Sequence, residues 1–276
     1  MMEGLGLYDL HAHTTTSDGT LSPTELVRLA KAQGLKGLAI TDHDTVEGIA
    51  EAKREADGGS LEIVAGVEVS AHFGDAPVHI LGLFVNEHDS ELKGFFVEAT
   101  RRRVDRVRLM CQKLQKLGLE IDADAVFAKS SHGTVGRPHV AEVLIESGQV
   151  ADIAEAFGRF LGEDGPAFVG YDKVTLEDAV DLIRRAGGIA SLAHPGLLVD
   201  DTPIPDMAAS GLQALEVYHL DHTPEKVARY ERLTEELGLL RTGGSDFHRQ
   251  IGDDPPRLGC SELTEEAFEK LRAAAR

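Results

Sequence analysis

The chain holds little cysteine: Cys111 and Cys260 are the two in 276 residues. Two thiols build no disulfide framework, so the fold has to rest on a buried core, and reduced cysteines suit a cytosolic setting. Long apolar runs are also missing. No stretch approaches the roughly 18 residues that cross a bilayer, and the N-terminus lacks the basic region and apolar core of a secretory signal. A cytoplasmic location without a membrane partner is expected. Cations are scarce as well, with 28 Lys and Arg against 47 Asp and Glu and a net charge of −19. A stable duplex nucleic-acid interface needs a basic face that this balance does not supply. Three bound dications would bring the charge from −19 to about −13, so most of it is a surface property. No repeat of fixed period and no low-complexity tract stands out.

What is present suits one large globular domain, or a domain with an insertion: 42% hydrophobic and 27% charged residues. Apolar segments alternate with helical patterns. Strands are expected at Leu5–Leu10, Lys36–Thr41, Leu61–Val69 and Val78–Val85, with helices over Pro23–Gln33 and Val46–Ala56. The first helix is well signalled. Ser22 is a good N-cap, Pro23 suits the first helical position, Glu25 completes a capping box and Gly34 stops the helix. The rhythm then breaks. One long helix is expected over Asp89–Leu117, with Val104, Val107, Cys111 and Leu114 at helical spacing, then helices over Arg137–Ser147 and Val150–Leu161. After a Gly/Pro boundary at "GEDGPAF" the alternation resumes. Helices are expected at Leu176–Ala186, Pro224–Leu237 and Glu265–Ala275, and strands at Gly188–Ala193, Leu212–Tyr218 and Leu239–Gly243. Seven strands joined by helices predict an α/β fold with a barrel-like parallel sheet, residues 1–87 and 166–276, interrupted by a helical insertion, 88–165.

The polar residues fall in a pattern. His11 and His13 follow the first strand, with Asp18 close behind in "YDLHAHTTTSDGT". His43 follows the second in "TDHD". Glu68 ends the third in "AGVEVS", His194 a later one in "SLAHPG", and Asp246 and His248 in "GGSDFH" follow the last. In a parallel barrel these ends share the face on which active sites are built. His79 sits near the start of its strand, as it would if that strand ran against the others. Six histidines, Asp18, Glu68 and Asp246 suit Mn²⁺, Fe²⁺ or Zn²⁺. One ion takes three or four protein ligands, so nine candidates point to two or three ions, with Glu68 able to bridge a pair. Residues two apart in an extended chain face the same way, so His11 and His13 can grip one ion. His72, His88 and His132 lie outside these motifs and are read as surface or satisfied core residues. His219 and His222 are candidate rim residues after a further strand.

The ordered set "DLHAHTTTSDG", "AITDHD", "GVEVS", "HILGLF", "GRPHVA", "SLAHPG" and "GSDFH" resembles the PHP (polymerase and histidinol phosphatase) family over nearly the whole chain. It is most similar to the branch containing nucleoside 3′,5′-bisphosphate phosphatases and short-RNA 5′-to-3′ exonucleases. The resemblance implies a distorted seven-stranded, TIM-like β/α barrel holding three metals, with the insertion capping the active site. It implies one ion on His11, His13, Glu68 and Asp246, a second on Asp18, His43 and His248, and a third on Glu68, His79 and His194. The sequence departs from the family pattern at Arg249, where many relatives have glycine, and in "AFVGYDKVT", which lacks a common Pro-Lys pair.

Clustered dications make a hydroxide nucleophile available near neutral pH and clamp phosphate oxygens. The expected reaction is therefore attack of a metal-bound hydroxide on the 3′-phosphate of a nucleoside 3′,5′-bisphosphate, with two to three divalent ions, Mn²⁺ first and Fe²⁺ or Zn²⁺ as alternatives. His194, His248 and Asp246 are the catalytic candidates, and His194 or His248 would protonate the leaving oxygen if free of ligand duty. Arg103 and Arg106 share a helical face, and Arg137 and His139 open a helix, whose N-terminus favours anions. These four are the expected substrate contacts. The alternatives are 5′-to-3′ exonuclease action on short RNA, histidinol phosphate hydrolysis and, in a different class, a non-catalytic accessory module of a DNA polymerase.

Overall fold

The computed structural model describes residues 7–129, 135–170, 174–249, 257–259 and 263–275. His132, Cys260 and the first residues of the strand expected at Leu5–Leu10 lie outside these. The chain divides into two compact units, Met1–Lys93 with Lys173–Arg276, and Gly94–Asp172.

The first unit is built on one sheet of seven strands: β1 (Tyr8–Asp9), β2 (Gly37–Ile40), β3 (Glu62–Phe73), β4 (Ala76–Leu83), β5 (Ile189–Leu192), β6 (Ala214–His219) and β7 (Leu240–Gly244). They pair in sequence order. The sheet curls until its edges meet: Leu10 N donates to Gly243 O at 3.0 Å and His13 N to Phe247 O at 2.9 Å. The result is a nearly closed β/α barrel. β4 runs antiparallel to both β3 and β5, and the other pairs are parallel. Ser70 therefore pairs with His79, which brings the start of β4 to the C-terminal end of β3. β3 continues four residues beyond the expected Val69 because Ser70 to Phe73 pair with Ala76 to His79 in a hairpin with β4.

The helices form for local reasons and are held by burial. In α1 (Pro23–Gln33), Glu25 N donates to Ser22 Oγ at 3.2 Å and Ser22 N to Glu25 Oε2 at 2.8 Å. Leu26, Val27 and Ala30 are fully buried along one face. Gly34, at φ 78°, ends the helix in the left-handed conformation that glycine adopts without penalty. Among the described residues this unit also holds the α-helices α2 (Ile49–Ala56), α7 (Leu176–Arg185), α8 (Ile204–Ala209), α9 (Pro224–Leu237) and α10 (Glu265–Ala274). Tyr8 of β1 stacks on Phe268 of α10 at 4.2 Å between ring centroids. Each such fully buried side chain contributes about 1.5–3 kcal/mol.

The second unit contains most of α3 (Ser90–Lys116), then α4 (Ala123–Phe127), α5 (Arg137–Glu146) and α6 (Ile153–Ala156). Its own core gathers Val107, Met110, Cys111, Leu114, Val140, Leu144 and Leu161. The division of the chain falls inside α3, at Gly94, whereas the helical pattern alone suggested residue 88. The helix expected over Val150–Leu161 is instead α6 followed by a π-helical turn, Phe157–Leu161. Asp152 caps α6 by accepting from Glu155 N at 2.8 Å, which excludes Val150 and Ala151. Gly158 and Gly162 then weaken the regular ladder. Among the described residues no helix is long and apolar enough to cross a membrane.

Candidate metal centre

The polar groups at the C-terminal end of the barrel are aimed by the loops they sit in. Asp42 accepts from Thr14 N at 2.7 Å, Thr14 Oγ1 at 2.8 Å and Ser17 Oγ at 2.7 Å, which folds the loop carrying His13 and Asp18. Gly19 closes that loop, since a Cβ there would lie 2.5 Å from His13 O. Asp44, at φ 51°, accepts from Ser70 N at 3.0 Å. In "TDHD", then, two carboxylates build backbone while His43 between them is free to face the centre. Asp9 does the same at the end of β1, accepting from His11 N, Ser245 N and Gly259 N. A side chain at Gly244 would collide with His11, 2.3 Å from its Cβ, so β1 and β7 close only with glycine there.

Nine side chains expected from the sequence converge. His11 Nε2 and His13 Nε2 each lie 3.2 Å from Asp246 Oδ1, and 3.4 and 3.2 Å from Glu68 Oε2. A second group joins Asp18, His43, His248 and His13, with Asp18 Oδ1 3.3 Å from His248 Nε2 and Asp18 Oδ2 3.7 Å from His43 Nε2. A third joins Glu68, His79 and His43. His79 Nδ1 and His194 Nε2 lie 2.9 and 3.1 Å from Glu68 Oε1. One buried carboxylate thus stands among five imidazoles. The first group has the four residues expected for one ion, the second adds His13 to the expected three, and the third holds His43 where His194 was expected, His194 standing beside Glu68 outside it.

Four of these atoms test the fit to a cation. His11 Nε2, His13 Nε2, Glu68 Oε2 and Asp246 Oδ1 are buried and have no hydrogen-bond partner, although each nitrogen lies 3.2–3.4 Å from both oxygens. Buried polar atoms without partners cost free energy in a folded chain. A cation supplies the missing partner for all four at once, and imidazole with carboxylate is the donor set of Mn²⁺, Fe²⁺ and Zn²⁺. Protonation states show the same frustration. Burial raises the Glu68 carboxyl, but His11, His13 and His194 overcome it and hold it well below the ordinary range. Burial lowers His13, but the carboxylates of Asp246 and Glu68 beside it prevail and hold it at about 9. His194 and Asp246 have positive φ, 28° and 50°, a backbone cost that residues other than glycine bear mainly where function demands the aim.

Sequence reasoning missed Glu216. It lies fully buried on β6, 3.1 and 3.2 Å from His11 Nδ1 through its two oxygens, and accepts from His194 N at 2.6 Å. A signal was available, because a carboxylate in the apolar run "QALEVYH" is costly unless partnered. His222, expected at the rim, is spent on structure: Nδ1 donates to Val217 O at 2.9 Å and Nε2 accepts from Gly196 N at 3.0 Å. His219 is buried too, 3.9 Å from Asp246 Oδ2. His88 is exposed and His72 sits on β3 outside the groups. In the second unit, Arg106 Nε donates to Val169 O at 2.7 Å, and Arg137 lies 5.5 Å from the ring centroids of Phe157 and Phe168. His139 Nδ1 accepts from Gly136 N at 3.1 Å and so closes the first turn of α5.

A β/α barrel that gathers imidazoles and carboxylates at one end of its strands defines a metallohydrolase. Residues 9–134 match the PHP domain family. A 5′-3′ exoribonuclease of Haemophilus influenzae is 36% identical over 251 residues, 89% of this chain and 91% of that protein. A 3′,5′-nucleoside bisphosphate phosphatase of Chromobacterium violaceum is 35% identical over 246 residues, 87% of this chain and 86% of that one. The crystal structure of an amidohydrolase from Chromobacterium violaceum, with sulfate bound, superposes with a TM-score of 0.75 at 33% identity and covers 98% of this chain and 97% of its own. The chain belongs to the PHP domain family and is a hydrolase of its metal-dependent, phosphoester-cleaving class.

Proposed function

We propose that this enzyme removes the 3′-phosphate from nucleoside 3′,5′-bisphosphates in the cytoplasm, using two to three divalent ions with Mn²⁺ foremost. The observation that carries the reading is the set of partnerless buried atoms on His11, His13, Glu68 and Asp246. His11, His13, Glu68 and Asp246 would hold one ion, Asp18, His43 and His248 a second, and Glu68, His79 and His194 a third. Divalent ions at such a site activate water at neutral pH and stabilise charge on phosphate oxygens. The chain's own part is positional. Glu68, with Oε1 2.9 Å from His79 Nδ1 and Oε2 3.2 Å from His13 Nε2, would be shared by two of these ion sites. Asp9, Asp42 and Asp44 hold the loops, and burial keeps competing water away from the ligand nitrogens. His194 or His248 would give a proton to the leaving oxygen if free of ligand duty, with Asp246 as the third catalytic candidate.

The nearly full-length similarity to a bisphosphate phosphatase supports the substrate. Arg103, Arg106, Arg137 and His139 are proposed to take the second phosphate. Arg106 and Arg137 flank one segment, Phe168–Val169, of the helical unit, and a guanidinium offers a phosphate a bidentate fork. The second reading, 5′-to-3′ removal of nucleotides from short RNA, is favoured by the similarity to the Haemophilus influenzae exoribonuclease. Phosphate and nucleotide release from a bisphosphate, the matching monophosphate, histidinol phosphate and a 5′-phosphorylated RNA pentamer separates these. The account expects the bisphosphate to have the highest kcat/KM. Faster release of mononucleotides from the pentamer would replace it with the exonuclease, and no release from any would place the chain among accessory modules.

A further inference from the structure

Glu216 touches neither the mouth of the barrel nor solvent, yet it joins two ligands assigned to different ions. Its two oxygens lie 3.1 and 3.2 Å from His11 Nδ1, and one of them accepts from the backbone N–H of His194 at 2.6 Å. The first contact sets a tautomer. A carboxylate only accepts, so Glu216 keeps a proton on His11 Nδ1, and Nε2, which faces Glu68 and Asp246, is then the nitrogen whose lone pair would be offered to an ion. The second contact sets a backbone. His194 has φ 28°, and its turn is held further on by His222 Nε2, which accepts from Gly196 N at 3.0 Å, and by Lys226, which donates to Gly196 O. Releasing the N–H of His194 would let the strained residue relax and turn its imidazole away from Glu68 Oε1.

We infer that Glu216 is a positioning residue that couples two ion sites, by fixing the tautomer of His11 for one and the backbone of His194 for the other. The inference rests on the ion sites proposed above. It differs from an ordinary outer hydrogen bond in one respect: a single carboxylate serves two sites, so its loss weakens both together.

Glu216→Leu removes both duties at once, because leucine accepts neither from His11 Nδ1 nor from His194 N. The experiment is equilibrium dialysis of metal-stripped protein against Mn²⁺, wild type beside variant, with melting in chelator to confirm that the variant folds. Loss of an outer partner costs about 10- to 100-fold in metal affinity. The expected result is that loss at two of the wild type's sites. Loss confined to one site, or none, overturns the coupling while leaving the multi-ion reading intact. A wild type that binds less than one ion removes the reading itself, and the coupling with it. Histidine ring NMR of the Zn²⁺-loaded wild type tests the same point without a variant. A proton on His11 Nδ1 is expected, and a proton on Nε2 would overturn the inference.

Discussion

The barrel unit and the helical unit treat their charges in opposite ways. In the barrel, His11, His13, Glu68 and Glu216 are drawn fully inside and face one another, with several polar atoms unmatched. In the helical unit, Arg101 and Arg102 of α3 lie at the surface beside anions one turn away. Arg101 pairs with Glu98 and Asp105, and Arg102 pairs with Glu98. Such exposed pairs are worth little and can be exchanged freely. Buried groups left without partners cost far more, and a chain retains them where a ligand completes them. The contrast separates a unit whose polar residues are bound to one chemistry from a unit whose polar residues mostly keep it solvated.

The sharpest way to break the contrast is to remove the carboxylate at its centre. Glu68→Ala should strip more than one ion and lower kcat by more than the roughly 100-fold that loss of an outer partner costs. Elemental analysis and steady-state kinetics check it, and full metal content would deny Glu68 its bridging role. A core truncation in the other unit should do the reverse. Leu114→Ala is expected to destabilise that unit by about 2–5 kcal/mol, read by denaturant unfolding, while the ion content of the folded protein is unchanged. Arg137→Ala should act on substrate alone. A lost charge-assisted contact costs roughly 1.5–3 kcal/mol, so kcat/KM for the bisphosphate should fall about 10- to 150-fold with little change for an aryl phosphate. Equal losses on both would make Arg137 a structural residue, a role its stacking on Phe157 and Phe168 could serve.

The smallest effect concerns pH. Burial opposes the charged form of His13, but Asp246 and Glu68 hold it at about 9. At neutral pH the ion must displace that proton, so apparent Mn²⁺ affinity should rise up to tenfold per pH unit until about pH 9. Titration in two buffers of different ionisation enthalpy counts the released protons. An affinity independent of pH between 6 and 8 would show that His13 is already neutral.

The two units also differed in how far the sequence revealed them. All seven strands were legible, because each combines an apolar run with a polar residue at its end that has no reason to be there except chemistry. Even the reversal of β4 was legible, from His79 standing at the wrong end of its strand. What stayed hidden in the barrel were residues that act through others. Asp9 and Asp42 resemble ordinary turn carboxylates, and Glu216 sits within a strand, where no motif spacing marks it. In the helical unit the periodicity gave α3 and α5 nearly to the residue. It missed α4 and the π-helical turn, because elements of about five residues are shaped by single caps such as Asp122 and by Gly158 rather than by a repeating pattern.

The measurement that meets the central claim most directly is the metal content of the native protein. Purified without chelator and reconstituted with Mn²⁺, the chain should carry two to three ions, and Asp246→Asn should carry at least one fewer. Less than one ion per chain after reconstitution would contradict the account, because nothing else would then explain why four partnerless atoms are buried at one point.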